Sequence, residues 1–257
     1  ELVEAFGIYS LSAPGFEADD VLGLIVEKTK KEKNLKIIIV SGDMDILQLV
    51  DDDRVVVYTM KKGVNDTVTY NEKKVIERYG FLPKLLPDFK GLKGDPSDNI
   101  VGVRGIGEKT ATDLIKKFGT LENLYKKIEP AKALALASKE IKEKTIQILI
   151  DHKEDAMFSK TLATIRKDAP VEFELEKAKF NLDKNKLAKM FLELGFNSLV
   201  KRLGSEFSMA QNENISPTKN QNLLFSPPDS NSFVFVRNGE IFGKPDWDKK
   251  IISNDIK

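Results

Sequence analysis

Four consecutive β-branched apolar residues, Ile37-Ile38-Ile39-Val40, end at Ser41-Gly42-Asp43, and this run constrains the fold more than any other stretch. A short apolar run closed by turn residues predicts a buried strand over residues 35–40. The neighbouring pattern alternates helix and strand. Residues 18–31 place Val21, Leu24 and Ile25 at helical spacing before a Lys/Glu-rich tail. Residues 46–50 read as a short helix and residues 54–60 as a second strand. Residues 64–70 make a hairpin return after Lys61-Lys62-Gly63. Asn71 is placed to cap a helix ending near Tyr79-Gly80. The opening residues 1–8 read as the end of a helix running into a strand. The first part of the chain is therefore expected to be α/β.

From residue 82 the character changes to short helices punctuated by Gly91, Gly94, Pro96, Gly102, Gly105, Gly107 and Gly119. Thr120 can cap a helix through Lys127, and residues 139–157 read as one further helix. Residues 171–175 alternate like an edge strand, and residues 187–203 form an amphipathic helix interrupted at Gly195. Residues 208–231 are dominated by Asn, Gln, Ser and Pro, the composition of a flexible linker. Beyond them, Asn238-Gly239 between Phe233–Val236 and Glu240–Phe242 is a hairpin signal. The piece that remains is shorter than the roughly 40 residues a domain needs to fold unaided. The expected organisation is an α/β core over 1–81 and a helical region over 82–207 with a hairpin motif near 98–119. A linker over 208–231 and the start of another domain over 232–257 follow. The chain opens on Glu1, in mid-element, and is expected to be a piece of a longer protein.

Composition excludes several chemistries. Cysteine is absent and His152 is the one histidine, which removes disulfide scaffolds, Cys and His metal sites and thiol nucleophiles. It also makes a serine–histidine triad untenable. Lys+Arg number 41 against 40 Asp+Glu, so charge is dense but balanced, and a local basic patch would still suffice to hold nucleic acid. Apolar runs are too short to span a membrane. Carboxylates, amines and backbone groups remain to carry chemistry.

The carboxylates fall in three groups: Glu17-Ala18-Asp19-Asp20 at a helix start, Asp43-Met44-Asp45 after the buried strand, and Asp95-Pro96-Ser97-Asp98 in a Gly-rich loop. Singly, each has an ordinary explanation as first-turn acid, N-cap or turn residue. Taken together, two of the three lie where strands end and helices begin, the usual ligand position of an α/β sheet. If they converge, each pair about 4 Å apart repels by roughly 4 kcal/mol at an effective dielectric near 20. Such a cluster requires cations or raised pKa values. All-oxygen donors select hard ions, Mg²⁺ or Mn²⁺, and two such ions can hydrolyse a phosphodiester.

The run Val103-Arg104-Gly105-Ile106-Gly107-Glu108-Lys109-Thr110-Ala111 leads into a helix ending at Gly119. Gly105 and Gly107 permit a tight turn and close backbone approach. The amides after Gly107 open a helix and suit phosphate, with Arg104, Lys109 and Thr110 alongside. Such a helix–hairpin–helix grips a nucleic-acid backbone without reading bases. Lys116, Lys117, Lys126 and Lys127 extend the basic face or are simply solvated.

These residues together carry a resemblance. Pro14-Gly15-Phe16-Glu17-Ala18-Asp19-Asp20, Ser41-Gly42-Asp43-Met44-Asp45 with Leu47-Gln48-Leu49, and Gly91-Leu92-Lys93-Gly94-Asp95-Pro96-Ser97-Asp98-Asn99 running into the hairpin resemble the 5′-nuclease domain of bacterial DNA polymerase I. Order and spacing match over residues 1 to about 204, and flap endonucleases share the plan. The resemblance implies a PIN-like α/β nuclease core and a helical DNA-binding region. It implies two divalent metals, cleavage near a 5′ end or flap in replication and repair, and a potassium ion on the hairpin carbonyls. It makes Glu17, Asp19, Asp20, Asp43 and Asp45 metal ligands or supporting acids, and gives Asp95 and Asp98 the second metal. DNA would be held at Arg104, Gly105, Gly107, Lys109 and Thr110.

The same resemblance makes 232–257 the start of a 3′–5′ exonuclease-like domain lacking its usual Asp-x-Glu. It further implies a monomer in the bacterial cytoplasm, at the nucleoid, joined to a polymerase domain and without membrane contact. The family's opening strand, its acids and the basic arch are not among these residues, so this chain alone is expected to cleave weakly or not at all while still binding duplex DNA. Two other classes compete. One is a non-catalytic helix–hairpin–helix module, in which Asp43→Ala or Asp95→Ala changes nothing. The other is a receiver-like domain with Asp43 or Asp45 as phosphoryl acceptor, which leaves the hairpin without a role.

Overall fold

The computed structural model describes residues 1–60, 66–128 and 141–210, the last six as backbone only. The chain divides into two compact units, one of residues 12–171 and one that brings residues 1–11 together with the described residues from 172 to 210. The expected linker beyond 210 and the domain start at 232–257 lie outside the described residues.

In the larger unit, β1 (Ile37–Val40) pairs in parallel with β2 (Val55–Met60), in register from Ile37↔Val55 to Val40↔Tyr58. β2 pairs antiparallel with β3 (Thr67–Tyr70), Met60 opposite Thr67. The strand order is β1-β2-β3. The crossover from β1 to β2 contains a 3₁₀ turn over Asp45–Leu49, whose Ile46, Leu47 and Leu49 are buried. Helix α2 (Ala18–Lys28) buries Val21 through Val26. Asn71 caps α3 (Glu72–Tyr79) by accepting from Lys74 N, and Gly80 closes it in the left-handed region. The side-chain cap and the glycine stop are each worth of order 1 kcal/mol.

The helical layer is built on α4 (Leu86–Lys93), which buries Leu86, Phe89 and Leu92. α5 (Glu108–Phe118) and α6 (Leu121–Lys127), the latter capped by Thr120, follow the hairpin. The single helix expected over 139–157 is instead two, α7 (Glu143–Asp151) and α8 (Lys153–Ala163). They hinge at His152, whose φ of −115° and ψ of 26° break the helix. Glu154 and Asp155 supply the acidic first turn that favours a new start there, and His152 Nδ1 lies 2.8 Å from Asp155 Oδ2. The apolar spacing continues through the break, so periodicity alone cannot reveal it. α8 packs on α4 closely enough that a Cβ at Gly91 would stand 2.9 Å from the Ala156 carbonyl oxygen.

A buried ion pair fastens this layer. Lys160 Nζ lies 2.6 Å from Asp88 Oδ1 and 2.8 Å from Glu122 Oε1. Asp88, 4% exposed, also accepts from Leu121 N at 2.8 Å. Thus α4, α6 and α8 meet at one carboxylate.

The smaller unit contains α1 (Leu2–Ala5), α9 (Lys184–Glu193) and α10 (Asn197–Ala210). Ala5, Leu187 and Phe191 form its core, and Gly195 separates α9 from α10 as expected. Neither the strand expected after residue 5 nor the edge strand at 171–175 forms. Residues 171–175 do alternate between half-buried and exposed, but no strand pairs with them among the described residues. Phe173 instead meets the Tyr9 ring at 6.4 Å, and Tyr9 Oη donates to Glu172 O. Alternation records which face is covered, not whether a ladder partner exists.

Candidate metal centre and hairpin

The three acidic segments take different positions. After β1, Ser41 Oγ accepts from Asp43 N, and Asp43 Oδ1 accepts from Asp45 N at 2.9 Å. This double turn presents Asp45 at the start of the 3₁₀ segment, with Asp43 exposed beside it. Between α4 and α5, Asp95 caps a 3₁₀ turn over Pro96–Asp98 through Ser97 N (3.1 Å) and Ser97 Oγ (2.5 Å). Asp95 and Ile100 exchange backbone hydrogen bonds of 2.8 and 2.9 Å, which fold the acid-bearing loop back on itself. Its two ends touch. A Cβ on Gly102 would lie 2.2 Å from Gly94 N, and both residues hold positive φ, 66° and 76°. Only glycine fits such a contact.

Asp45, Asp95 and Asp98 converge, each offering a carboxylate oxygen within 4.8 Å of the others'. Lys90 of α4 lies among them. Its Nζ pairs with Asp45 Oδ1, stands 2.6 Å from Asp95 Oδ2 and 3.5 Å from Asp98 Oδ2. Burial acts on Asp45, Asp95 and Lys90 alike, with different outcomes. At Asp45 burial dominates and, with the charges of Asp43 and Asp98, outweighs Lys90, so its carboxyl is raised. At Asp95 burial also pushes upward, but Lys90 and Ser97 hold the group at about 2. Burial disfavours the Lys90 ammonium, yet hydrogen bonds to Asp45 and Asp95 raise its pKa.

Lys90 was not legible as a site residue from motif spacing. The available signal was two charges, Asp88 and Lys90, inside the otherwise apolar run Leu86-Pro87-Asp88-Phe89-Lys90-Gly91-Leu92, since buried charges are nearly always paired. One ammonium among three carboxylates leaves two negative charges uncompensated. An all-oxygen pocket with that residual charge fits a hard divalent cation.

The α2 acids are differently used. Asp20 Oδ2 accepts from Glu17 N at 3.1 Å and Oδ1 from Arg166 N at 2.9 Å, so both oxygens serve backbone amides. Asp19 is buried and Glu17 exposed. The structure thus gathers three of the seven sequence-selected acids around one lysine. It sets Asp43 next to them through its turn and assigns Asp20 to capping.

In the hairpin, Gly105 has φ of 96°, whereas Gly107 is extended at −90° and a Cβ there would meet nothing within 4 Å. Gly105 therefore makes the turn, and Gly107 leaves open space ahead of α5. No side chain caps α5, so the amides of Glu108, Lys109 and Thr110 open toward solvent, with Arg104 and Lys109 exposed beside them. The α-helix before the hairpin is α4, ending at Lys93 upstream of the 98–119 span. Lys93 Nζ reaches back to Glu108 at 3.3 Å, Val103 N donates to Leu92 O and Ile106 N to Val103 O.

An α/β core followed by a helical region, with a carboxylate pocket where they meet, is the plan of a PIN-type nuclease. Comparison with known proteins agrees. Residues 1–80 match the family model of the 5′–3′ exonuclease N-terminal resolvase-like domain, and residues 81–186 that of the 5′–3′ exonuclease C-terminal SAM fold. The chain belongs to the 5′–3′ exonuclease family. It is 40% identical over 209 residues to DNA polymerase I of Bacillus caldotenax and 37% over 214 residues to that of Bacillus subtilis (strain 168). These alignments take in 81% and 83% of this chain but 23% of each relative.

Among solved structures, T5 5′-exonuclease with bound zinc is similar at a TM-score of 0.47 and 25% identity, covering 58% of this chain and 50% of that one. The catalytic core of Rad2 in complex with DNA substrate is similar at 0.44 and 19%, covering 76% and 61%. Among the described residues, no helix is long and apolar enough to cross a membrane.

Proposed function

We propose that this chain is the metal-dependent 5′-nuclease region of a DNA polymerase I, hydrolysing phosphodiesters near 5′ ends or flaps during replication and repair. The observation that carries this reading is the convergence of Asp45, Asp95 and Asp98, from two separate segments, on Lys90. Family membership supports it. Asp45, Asp95 and Asp98 would hold a divalent ion, Mg²⁺ or Mn²⁺. Asp43, Glu17, Asp19 and Asp20 would act as supporting acids around such ions. Bound there, such ions activate water and stabilise the leaving oxygen. Arg104, Lys109, Thr110 and the amides beyond Gly107 hold the duplex backbone, Gly105 shapes the turn, and the hairpin carbonyls would be the groups to hold a K⁺. On this reading the region works as a monomer at the nucleoid, in the cytoplasm, alongside exonuclease-like and polymerase domains. Its parts are a core over 1–81 and a DNA-binding region over 82–207. Three converging acids are few for two ions, so duplex binding outlasts catalysis in the chain alone.

The test pairs two variants. Asp95→Ala is expected to lose Mn²⁺ binding and any cleavage of a 5′-flap duplex while keeping duplex affinity. Lys109→Ala is expected to do the reverse, weakening duplex binding and flattening its salt dependence. The rival reading, a binding module without chemistry, requires that Asp95→Ala leave both Mn²⁺ binding and cleavage untouched.

A further inference from the structure

The stretch that follows α8 lies directly on α2. A Cβ on Gly23 would stand 2.5 Å from the Arg166 carbonyl oxygen and 2.8 Å from Ile165 Cγ2, so a side chain there would drive the two apart. Flanking Gly23 on the same face of α2, Asp20 Oδ1 accepts from Arg166 N, and Glu27 Oε2 lies 3.3 Å from Lys167 Nζ. The Arg166 guanidinium stacks 4.2 Å from the Phe16 ring centroid. This strap is thereby fixed to the helix start that carries Glu17, Asp19 and Asp20.

Gln48 grips the same strap from the sheet side. Its Nε2 donates to Ala163 O at 3.0 Å, and its Oε1 accepts from Ile165 N at 2.9 Å. Nε2 also donates to Asp45 O at 3.1 Å. One side chain therefore joins the segment of Asp45 to a strap whose next residue binds Asp20. The α8 helix behind the strap reaches the third acidic segment, because Ser159 Oγ accepts from Gly102 N at 3.0 Å, where the Asp95–Asp98 loop closes. An amide is required at position 48, because the strap offers one carbonyl and one N–H, and a carboxylate or a hydrocarbon can serve only one or neither.

We propose that Gln48 is a positioning residue for the nuclease site. By holding residues 163–165 with both ends of its amide, it sets Asp45 against the acids of α2. The inference rests on the metal-dependent reading above, but its first test does not. In the metal-free chain, Gln48→Met is expected to speed hydrogen exchange at the Arg166 amide at least tenfold. Gln48 does not touch that amide, which lies one residue beyond Ile165 along the strap. Gln48→Glu, which keeps the acceptor for Ile165 N, provides a second variant should Gln48→Met fold poorly, and is expected to fall between the two. Thr120→Ala, which removes the α6 cap in an element that carries none of the site acids, controls for general loosening.

The second readout is Mn²⁺ affinity of the full chain, from the loss of the free-ion spectrum, expected to fall about tenfold in Gln48→Met and not in Thr120→Ala. Acceleration at Ile165 with Arg166 unchanged overturns the proposal. So does an accelerated Arg166 amide with Mn²⁺ affinity equal to that of the unaltered chain, or an equal loss in Thr120→Ala. If the unaltered chain binds no Mn²⁺, the metal-dependent reading fails, and the Arg166 amide alone decides whether Gln48 links the two acidic segments.

Discussion

Lys160 and Lys90 each join carboxylates from different elements, and the contrast between them separates a structural lock from a site. Lys160 meets Asp88, which is 4% exposed and also bonded to Leu121 N. Every charge there has a partner, and the group welds α4, α6 and α8. Lys90, two residues along α4 from Asp88, meets three carboxylates whose oxygens crowd within 4.8 Å. Asp98 is 52% exposed, and negative charge remains in excess. The same helix therefore presents a buried cluster with one excess negative charge and a wetter cluster with two. An unbalanced charge that stays open to water is what distinguishes a place for a cation.

The largest effect that would sharpen this contrast is at Lys160. Lys160→Met leaves Asp88 buried and unpaired, which should cost about 3 kcal/mol. In thermal or urea unfolding the loss should be the same with and without Mn²⁺. Lys90→Met removes the cation from a wetter cluster and should cost about 2 kcal/mol. This loss should be recovered by millimolar Mn²⁺, through binding to the folded state, and the Mn²⁺-induced rise in Tm should exceed that of the unaltered chain. Equal rescue of both variants would erase the distinction between lock and site.

Ser97→Ala deletes one hydrogen bond to Asp95, worth about 1 kcal/mol. Titration by NMR should then show the Asp95 carboxyl moving up from about 2. The smallest effect is in pH dependence. Burial would raise Glu122, but Lys160 brings its pKa below the ordinary 4.5, and hydrogen bonds to Asp88 and Glu122 raise Lys160 above 10.5 against the cost of burial. The depressed acid contributes stability above pH 4.5 that is lost as pH falls through its lower folded value. The raised lysine contributes below pH 10.5 and loses that as pH rises further. The share of the acid-side decline due to Glu122 should disappear in Lys160→Met, measurable as a flatter stability curve below pH 4.5.

Much of the fold was legible because its signals are local. The β-branched run at 37–40, the Asn71 cap with Gly80, and Thr120 before α6 each depend on neighbours within a few residues. The expected strand at 171–175 did not form because a ladder needs a partner that alternation does not specify. The single helix at 139–157 divides because His152 and the acids after it start a new turn without disturbing the apolar spacing. At the site, the motifs located the acids but not their partners. Asp20 and Asp45 are both acids near a helix or turn start. Which one meets an ammonium and which one meets amides depends on Lys90 and Arg166, distant in sequence from the acids they bind.

The contact between Gly94 and Gly102 has a further consequence. Where two glycine backbones meet, the chain enters and leaves the acidic loop at one point, and Lys90 and the buried Ile100 hold the loop from within. Its exposed positions 96–99 are the ones at which composition can change while α4 and α5 stay in place, provided that both glycines and Ile100 are kept. Asp95 and Asp98 thus sit on a loop closed at its base, and substitutions at its exposed positions should change what the pocket binds before they change whether the protein folds.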